Sequence, residues 1–486
     1  MRYAVLIFFL AIFSSSHARV IQARSGTRND IQAAVNSAQV GDTIMVPPGD
    51  FVFNGGINVN AGITIMGAGR DRTILRRTSS GSSWLFTVNG SNGEQFVFSG
   101  FTVIGLAPNT SRGIRLNNCT DFKIYDNTFR RCTDRAIEIH GNSRGVIYDN
   151  RFIDNFPTAV VVFGDGDAAW ARPLTLGTEH AIYVEDNYFE QRNISDPTRV
   201  MHIASNNGSR YVFRHNTVND GHISSQAVDA HGNKFYWPRG SRSYEIYNNH
   251  FTIGHRWVGM NIRGGDGVIF GNVFNGSLVN TILLQYEGRG NEHSYPYTDQ
   301  IRQLHIWDNT HNGQPANIHN RHPSIIREGR DYFRTENMDY TPFTYPHPLR
   351  MTATIVDPID DEGGNEGDKG NEGDKGDEDK GDETSLAGIR TSRGHDGLSV
   401  RSITGVHGRA ASISYTLTND ALENSPVVRF NIYNMRGQRV QSMTRRHNEG
   451  GNFTLEMDRN LAPGIYNVEM RVGNQQLSSR LVLGNN

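Results

Sequence analysis

Ile124-Tyr-Asp-Asn-Thr-Phe129, Ile147-Tyr-Asp-Asn-Arg-Phe152 and Ile246-Tyr-Asn-Asn-His-Phe251 are copies of one pattern, aliphatic-x-polar-Asn-x-Phe. Looser copies run over 184–189, 213–218, 269–274 and 306–311. Their asparagines, Asn127, Asn150, Asn187, Asn216, Asn249, Asn272 and Asn309, are 23, 37, 29, 33, 23 and 37 residues apart. A base period near 23 with insertions of variable length is what a solenoid of parallel strands requires, because each coil covers its neighbour and extra residues loop outward. An asparagine fixed at one corner can stack on its equivalents and satisfy turn backbone in the next coil, so these seven are read as structural.

A second strand follows each corner: Gly113–Asn117, Ala136–His140, Ala159–Phe163, Val200–Ala204, Ala227–His231, Gly259–Arg263 and Thr281–Gln285. Alternation sends aliphatic members such as Ile137 and Ile139, Met201 and Ile203, or Met260 and Ile262 into the core. The intervening side chains form two outward columns. One is expected to hold Arg115, Glu138, Val161, His202, Asp229, Asn261 and Leu283, the other Asn117, His140, Phe163, Ala204, His231, Arg263 and Gln285.

Near the start, Asn29-Asp-Ile-Gln-Ala-Ala-Val-Asn-Ser-Ala38 has helical apolar spacing behind an Asn29 or Asp30 cap, and would cover the open end of the solenoid. Val40-Gly-Asp-Thr-Ile-Met-Val-Pro-Pro-Gly-Asp50 and Gly62-Ile-Thr-Ile-Met-Gly-Ala-Gly69 begin the coils. Helix, Gly-Asp-Thr-Ile strand, Pro-Pro-Gly turn and Asn-x-Phe coils together resemble the right-handed parallel β-helix proteins of the pectate lyase-like superfamily, over about 330 residues. The resemblance implies an all-β protein acting on a polysaccharide as a lyase, epimerase or hydrolase; fold alone does not choose among them.

The remaining chain sorts into further units. Residues 1–18 carry the charged, apolar and small-residue zones of a secretory signal, with cleavage expected after Ala18, and no other segment is apolar enough to span a bilayer. The β-helix is placed at 19–350, an acidic Gly-rich spacer at 351–390, and a small antiparallel β-sandwich at 391–486. Within the spacer, Asp360–Glu383 contains Asn365-Glu-Gly-Asp-Lys-Gly370 and its repeat at 371–376, with no aromatic or aliphatic residue to bury. The last unit alternates with period two in Val427–Tyr433 and Tyr466–Val472. Its Phe430-Asn-Ile-Tyr-Asn-Met-Arg-Gly-Gln-Arg-Val440, Leu461–Val468 and Ser479–Leu483 resemble the C-terminal sorting domain of the type IX secretion system, which implies export and a partnership with that machinery.

Composition narrows the chemistry. Thirteen acids and three lysines between Asp357 and Glu383 give a local −10, so a net charge of −2 leaves +8 on the rest, almost all of it arginine. An Arg-rich body suits a carboxylated or sulfated ligand, since the guanidinium fork matches carboxylate geometry. No compact basic run with interleaved aromatics marks a nucleic-acid reader. Cys119 and Cys132 are either a disulfide in an oxidising compartment or two buried thiols. A monomer is expected.

His231, His202, Asp229 and Arg263 fall in the middle of the columns and are the candidate catalytic residues, with Glu138, His140, Asn261 and Gln285 as substrate contacts around them. Breaking a uronic-acid polymer by β-elimination needs the C6 carboxylate neutralised, a base for the C5 proton and an acid for the leaving oxygen. Arg263 suits the first task and His231 or His202 the second, while Asp229 can orient an imidazole or hold a cation. A lysine base would have to be Lys123 or Lys234, and neither lies on a column. Asp229-Ala-His231 followed by Arg263 resembles the Asp-Pro-His motif of alginate C5-epimerases and related lyases, with Ala230 in place of proline and Gly232 where an acid often stands. Trp170, Tyr236, Trp237 and Trp257 are candidates for stacking on sugar rings, Arg239 for a substrate carboxylate, and Asp165-Gly-Asp167 for Ca2+. The reading is a secreted lyase on an acidic polysaccharide; the alternatives are an epimerase at the same site and a non-catalytic carbohydrate-binding or adhesin solenoid.

Overall fold

The computed structural model describes residues 18–351, apart from 61, 78–82, 91–93, 106–110, 193–199, 234–236 and 289–293, together with the strands and some connections between 398 and 483. These form two compact units divided after Asp361. The expected signal segment, apart from Ala18, and the expected acidic spacer, apart from Met351, lie outside the described residues.

The first unit is a parallel β-helix. Parallel strands repeat coil after coil in register, Ile124 beside Ile147, Ile147 beside Val184, Val184 beside Phe213, Phe213 beside Ile246, and Ile246 beside Ile269. Twelve strands make one sheet and eighteen shorter or bent ones the remaining walls. The described interior is mainly apolar, with phenylalanines stacked between coils: Phe129 on Phe152 at 5.3 Å, Phe152 on Phe189 at 4.8 Å, Phe251 on Phe274 at 4.5 Å.

The Asn-x-Phe corner sets the coil spacing. Each ladder asparagine accepts, on one Oδ1, both the backbone N–H and the side-chain amide of its predecessor; for Asn150 to Asn187 the distances are 3.0 and 3.1 Å, for Asn187 to Asn216 3.0 and 3.1 Å. Its own Nδ2 also donates to two carbonyls, for Asn216 those of Val184 and Arg214. Every strong amide function is thus used in a site without water. The residue before each asparagine is left-handed: Asp126, Asp149, Asp186, His215, Asn248, Gly271 and Asp308 have φ between 50° and 63°. Asp, Asn, His and Gly are the types that enter this region at least cost, so the "polar" position of the repeat is a conformational requirement.

Helix α1 (Arg28–Ser37) buries Ile31 and Ala34 against the first coils. Its cap is Thr27, whose hydroxyl accepts from the Asp30 N–H, in place of the expected Asn29 or Asp30. Cys119 and Cys132 are buried free thiols, and burial raises their pKa to about 11 and about 12. Of the two options the sequence leaves, the structure has the thiols.

The second unit is an antiparallel sandwich. A three-stranded sheet (Leu398–Thr404, Ser412–Leu417, Gly451–Glu456) lies against a four-stranded one (Val427–Asn434, Arg439–Arg446, Gly464–Val472, Gln475–Leu483). Tyr415 meets Phe430 at 4.9 Å between them.

Candidate functional site

The outward columns exist, with one change of register. Arg115 pairs with Glu138, Glu138 with Val161, Val161 with Ala204, Ala204 with Asp229, and Asp229 with Asn261. Ala204 therefore stands where His202 is expected, and Asn206, beside Phe163, takes the place expected for Ala204. Ile203 pairs with both Val160 and Val228, so the strand Met201–Asn206 is displaced by two residues. Its inward positions are Ile203 and Ser205; the Ser205 hydroxyl is satisfied inside by that of Ser241 at 2.8 Å. Met201, expected in the core, lines the groove.

His202 is consequently removed from the cluster. It is preceded by groove-lining Met201 and followed by core-facing Ile203, so alternation breaks at the start of this strand. Its ring turns inward against Phe189, and Nε2 lies 3.0 Å from both Asp220 oxygens and 3.1 Å from Arg256 Nη2. Arg256 Nε donates to Asp220 at 2.7 Å. Burial pushes the His202 pKa down. Burial alone would raise the Asp220 carboxyl, but the charges of Arg256 and His202 outweigh it and hold Asp220 at about 2. This trio is a sealed structural knot and not a base open to substrate.

Asp229, His231 and Arg263 do come together, joined by Glu287. Ladder bonds continue past the strand ends, from His231 N–H to the Ser205 carbonyl and from Arg263 N–H to that of Ala230, which fixes both residues on neighbouring coils. Arg263 donates through Nε and Nη2 to Asp229 at 2.9 and 2.5 Å and through Nη1 to Glu287 at 2.5 Å. Gln226 adds a bond to Asp229 at 2.7 Å. Burial opposes ionisation of Asp229, yet Arg263 and His231 keep its carboxyl below the ordinary range. His231 Nδ1 lies 3.0 Å from Glu287 and Nε2 2.9 Å from Arg263 Nη2. The consistent tautomer donates from Nδ1 to the carboxylate and carries its lone pair on Nε2. His231 is 19% exposed against 1% for Asp229 and 9% for Arg263, so it is the member of the trio that most faces solvent.

Above this cluster is a groove of about 720 Å³. Arg135, Met201, Phe163 and Trp237 line it together with Asp229, His231 and Arg263. Trp237 lies against Phe163 at 4.5 Å and Phe163 against His140 at 4.8 Å, an aromatic row of the sort sugar rings stack on. Glu138, three coils from Asp229, is held by Arg135 at 2.8 Å and His140 at 2.6 Å. Burial opposes its ionisation, but the His140 bond and nearby cations keep its pKa low. Asn261 accepts from Gln285 at 3.0 Å.

Other expectations are corrected. Arg239 grips Asp299 with three bonds of 2.6 to 3.0 Å, also holds Asp167 at 2.9 Å, and covers the Trp170 ring at 4.6 Å; it clamps loops together and does not line the groove. Trp170, with Arg242 on the ring at 4.9 Å and Nε1 on the Gly240 carbonyl, belongs to the same clamp. Trp257 sits half-buried within the strand His250–Ile262, and Tyr236 lies outside the described residues. The donor set does not fit Ca2+: Asp165 is held by Arg172 at 2.7 and 2.8 Å and Asp167 by Arg239. Among the described residues no group of three His, Cys, Asp or Glu side chains is arranged to hold a metal ion.

Glu287 was legible but missed: the outward alternation Leu283, Gln285 continues to 287. Gln226 was not, because it lies three positions before Asp229, off the period of two that defines the columns, where the strand pairing is irregular.

A family model of the right-handed β-helix region matches residues 50–173 and 88–251, and one of the secretion-system C-terminal sorting domain matches 411–484. The tail is of a kind that directs chains to secretion or the cell surface, and no helix among the described residues is long and apolar enough to cross a membrane. None of the curated proteins matches the chain. Solved structures of similar course include an alginate lyase from Paenibacillus sp. str. FPU-7 (15% identity, 63% of this chain and 98% of that one, TM-score 0.37). The A-module of a mannuronan C-5 epimerase from Azotobacter vinelandii gives 15%, 62%, 88% and 0.37, and a pectin methylesterase from Erwinia chrysanthemi 9%, 64%, 95% and 0.34.

Proposed function

Because the chain is a right-handed parallel β-helix protein with a secretion-system sorting tail, we propose that it is an exported polysaccharide-active enzyme working in the groove above His231, and that its reaction is β-elimination on a uronic-acid polymer. The observation that carries this reading is His231 itself: partly exposed, lining the groove, with Nδ1 fixed by Glu287 so that Nε2 is the basic nitrogen, its lone pair accepting from Arg263 Nη2 until substrate takes that contact. In the proposed step Nε2 takes the C5 proton, the C4–O bond breaks as C4=C5 forms, and the imidazolium returns its proton to the leaving oxygen.

Arg263 supplies the cation for the C6 carboxylate. Glu287 reaches Arg263 through Oε1 but His231 and the Gly232 N–H through Oε2. A substrate carboxylate can accept from the second N–H of Nη1 while Glu287 stays in place and keeps the imidazole oriented.

A second reading has its own support. Arg263 is already paired with Asp229 and Glu287, and a groove whose charges are matched within the protein also suits a surface that only grips a polymer. The purified protein is incubated with pectate, alginate and glycosaminoglycans while unsaturated-uronate absorbance is followed. A rise on one of them is expected. Binding without a rise would support the carbohydrate-binding solenoid, and proton exchange at C5 without cleavage the epimerase.

A further inference from the structure

Asp42 lies in the turn between α1 and the strand Thr43–Val46 and is 2% exposed. Its Oδ1 accepts the backbone N–H of Arg19 at 2.8 Å. Its Oδ2 accepts the Arg19 guanidinium at 3.2 and 2.6 Å and the Gln39 N–H at 2.8 Å. Arg19 Nη2 also reaches the Ser37 carbonyl at the end of α1, at 3.0 Å. Residue 19 is thus tied to the capping helix, the turn and the first coil at once, one residue before the strand Val20–Gln22 pairs with Thr43–Met45.

We infer that the Ala18–Arg19 bond is the maturation site and that the α-ammonium it releases docks on Asp42, locking the first coil. Hydrolysis adds one water, leaving a carboxylate on Ala18 and an amine on Arg19 that takes a proton at neutral pH. The nitrogen already points at Asp42, so cleavage replaces a neutral amide donor by a charged one and turns a bond to a buried carboxylate into an ion pair. Cleavage further in, after Ala23, would strip the strand Val20–Gln22 from the edge it covers and remove Ile21 from the core margin. The consequence is directional: the leader-bearing chain holds its first coil and cap more loosely than the mature one.

The groups facing the new ammonium are few. Asp42 attracts it, the Arg19 guanidinium opposes it in part, and α1 and the turn contribute the Ser37 carbonyl and the Gln39 N–H. Pairing raises the folded pKa of the amine above its unfolded value of about 8, so the added stability is complete below that pH and disappears as pH rises through the folded value.

Two measurements test this. Mass spectrometry of the secreted full chain gives its first residue, expected to be Arg19; a start at any other residue overturns the proposal. Full chains beginning at Arg19 and at Ala18 are then melted across pH. The Arg19 form is expected to melt higher by about 2 °C at pH 7 and equally above about pH 11. Asp42→Asn in both forms should cancel the difference, and N-acetylation of the Arg19 form should do the same if that substitution prevents folding. Equal melting of the two forms at pH 7 would refute the latch.

Discussion

The asparagine corner and the groove wall lie on the same coils and obey opposite rules. At the corner one side chain recurs seven times, and each of the five internal amides is placed by an identical amide above and below. On the groove wall successive side chains all differ: Val161, Ala204, Asp229 and Asn261 share one column and make no common bond. Repetition fixes the register at the corner; on the wall the register depends on the loop that precedes each strand. What is repeated holds the fold, and what is unique is available for chemistry.

The largest expected effect is therefore at the corner. Asn216→Ala removes the acceptor for the N–H and amide of Asn187 and leaves two carbonyls without their donor. At about 1–3 kcal/mol for each buried group left unsatisfied, a loss on the order of 4 kcal/mol is expected in denaturant unfolding. A loss below ~1 kcal/mol would mean that the ladder does not set coil spacing.

Next comes the groove, where Arg263→Ala strands the buried Asp229 carboxylate. About 3–5 kcal/mol should be lost, and Asp229→Asn in the same chain should restore part of it. Full additivity of the two changes would break the assigned pairing. Third is the sealed knot. Asp220, at about 2 in the folded chain, lies below an unfolded value of about 3.9. Its contribution of about 2 kcal/mol is present above pH ~4 and lost as pH falls through the folded value. Urea titrations of wild type and Asp220→Asn between pH 2 and 6 should differ by this step, and parallel curves would argue against it.

The sequence made the repeated features legible because each coil votes for the same reading. The parallel coils, the ladder, the capping helix and the C-terminal sandwich all follow from periodicity. The left-handed turn before each asparagine was also visible, as a column of Asp, Asn, His and Gly, although polarity hid its meaning. His202 misled because Met201 looks like the inward aliphatic residue and Ser205 like an outward one; the pairing of Ile203 with Val160 and Val228 decides otherwise. Arg239 misled because a loop arginine near a groove carries no sign of Asp299, sixty residues away, which takes its fork. Asp229, His231 and Arg263 were found because they lie at equivalent strand ends on consecutive coils, beyond the displaced strand.

The smallest stability effect should accompany the largest loss of activity. His231 and His202, both on candidate strands in the sequence, should therefore be compared directly: unsaturated-uronate release and melting are measured for His231→Ala and His202→Ala on the substrate that wild type cleaves. His231→Ala should lose at least about 100-fold in rate with stability within ~1 kcal/mol of wild type. His202→Ala should melt lower and still turn over at temperatures where it is folded. Full activity in His231→Ala, or a stable but inactive His202→Ala, would contradict the placement of the chemistry in the groove.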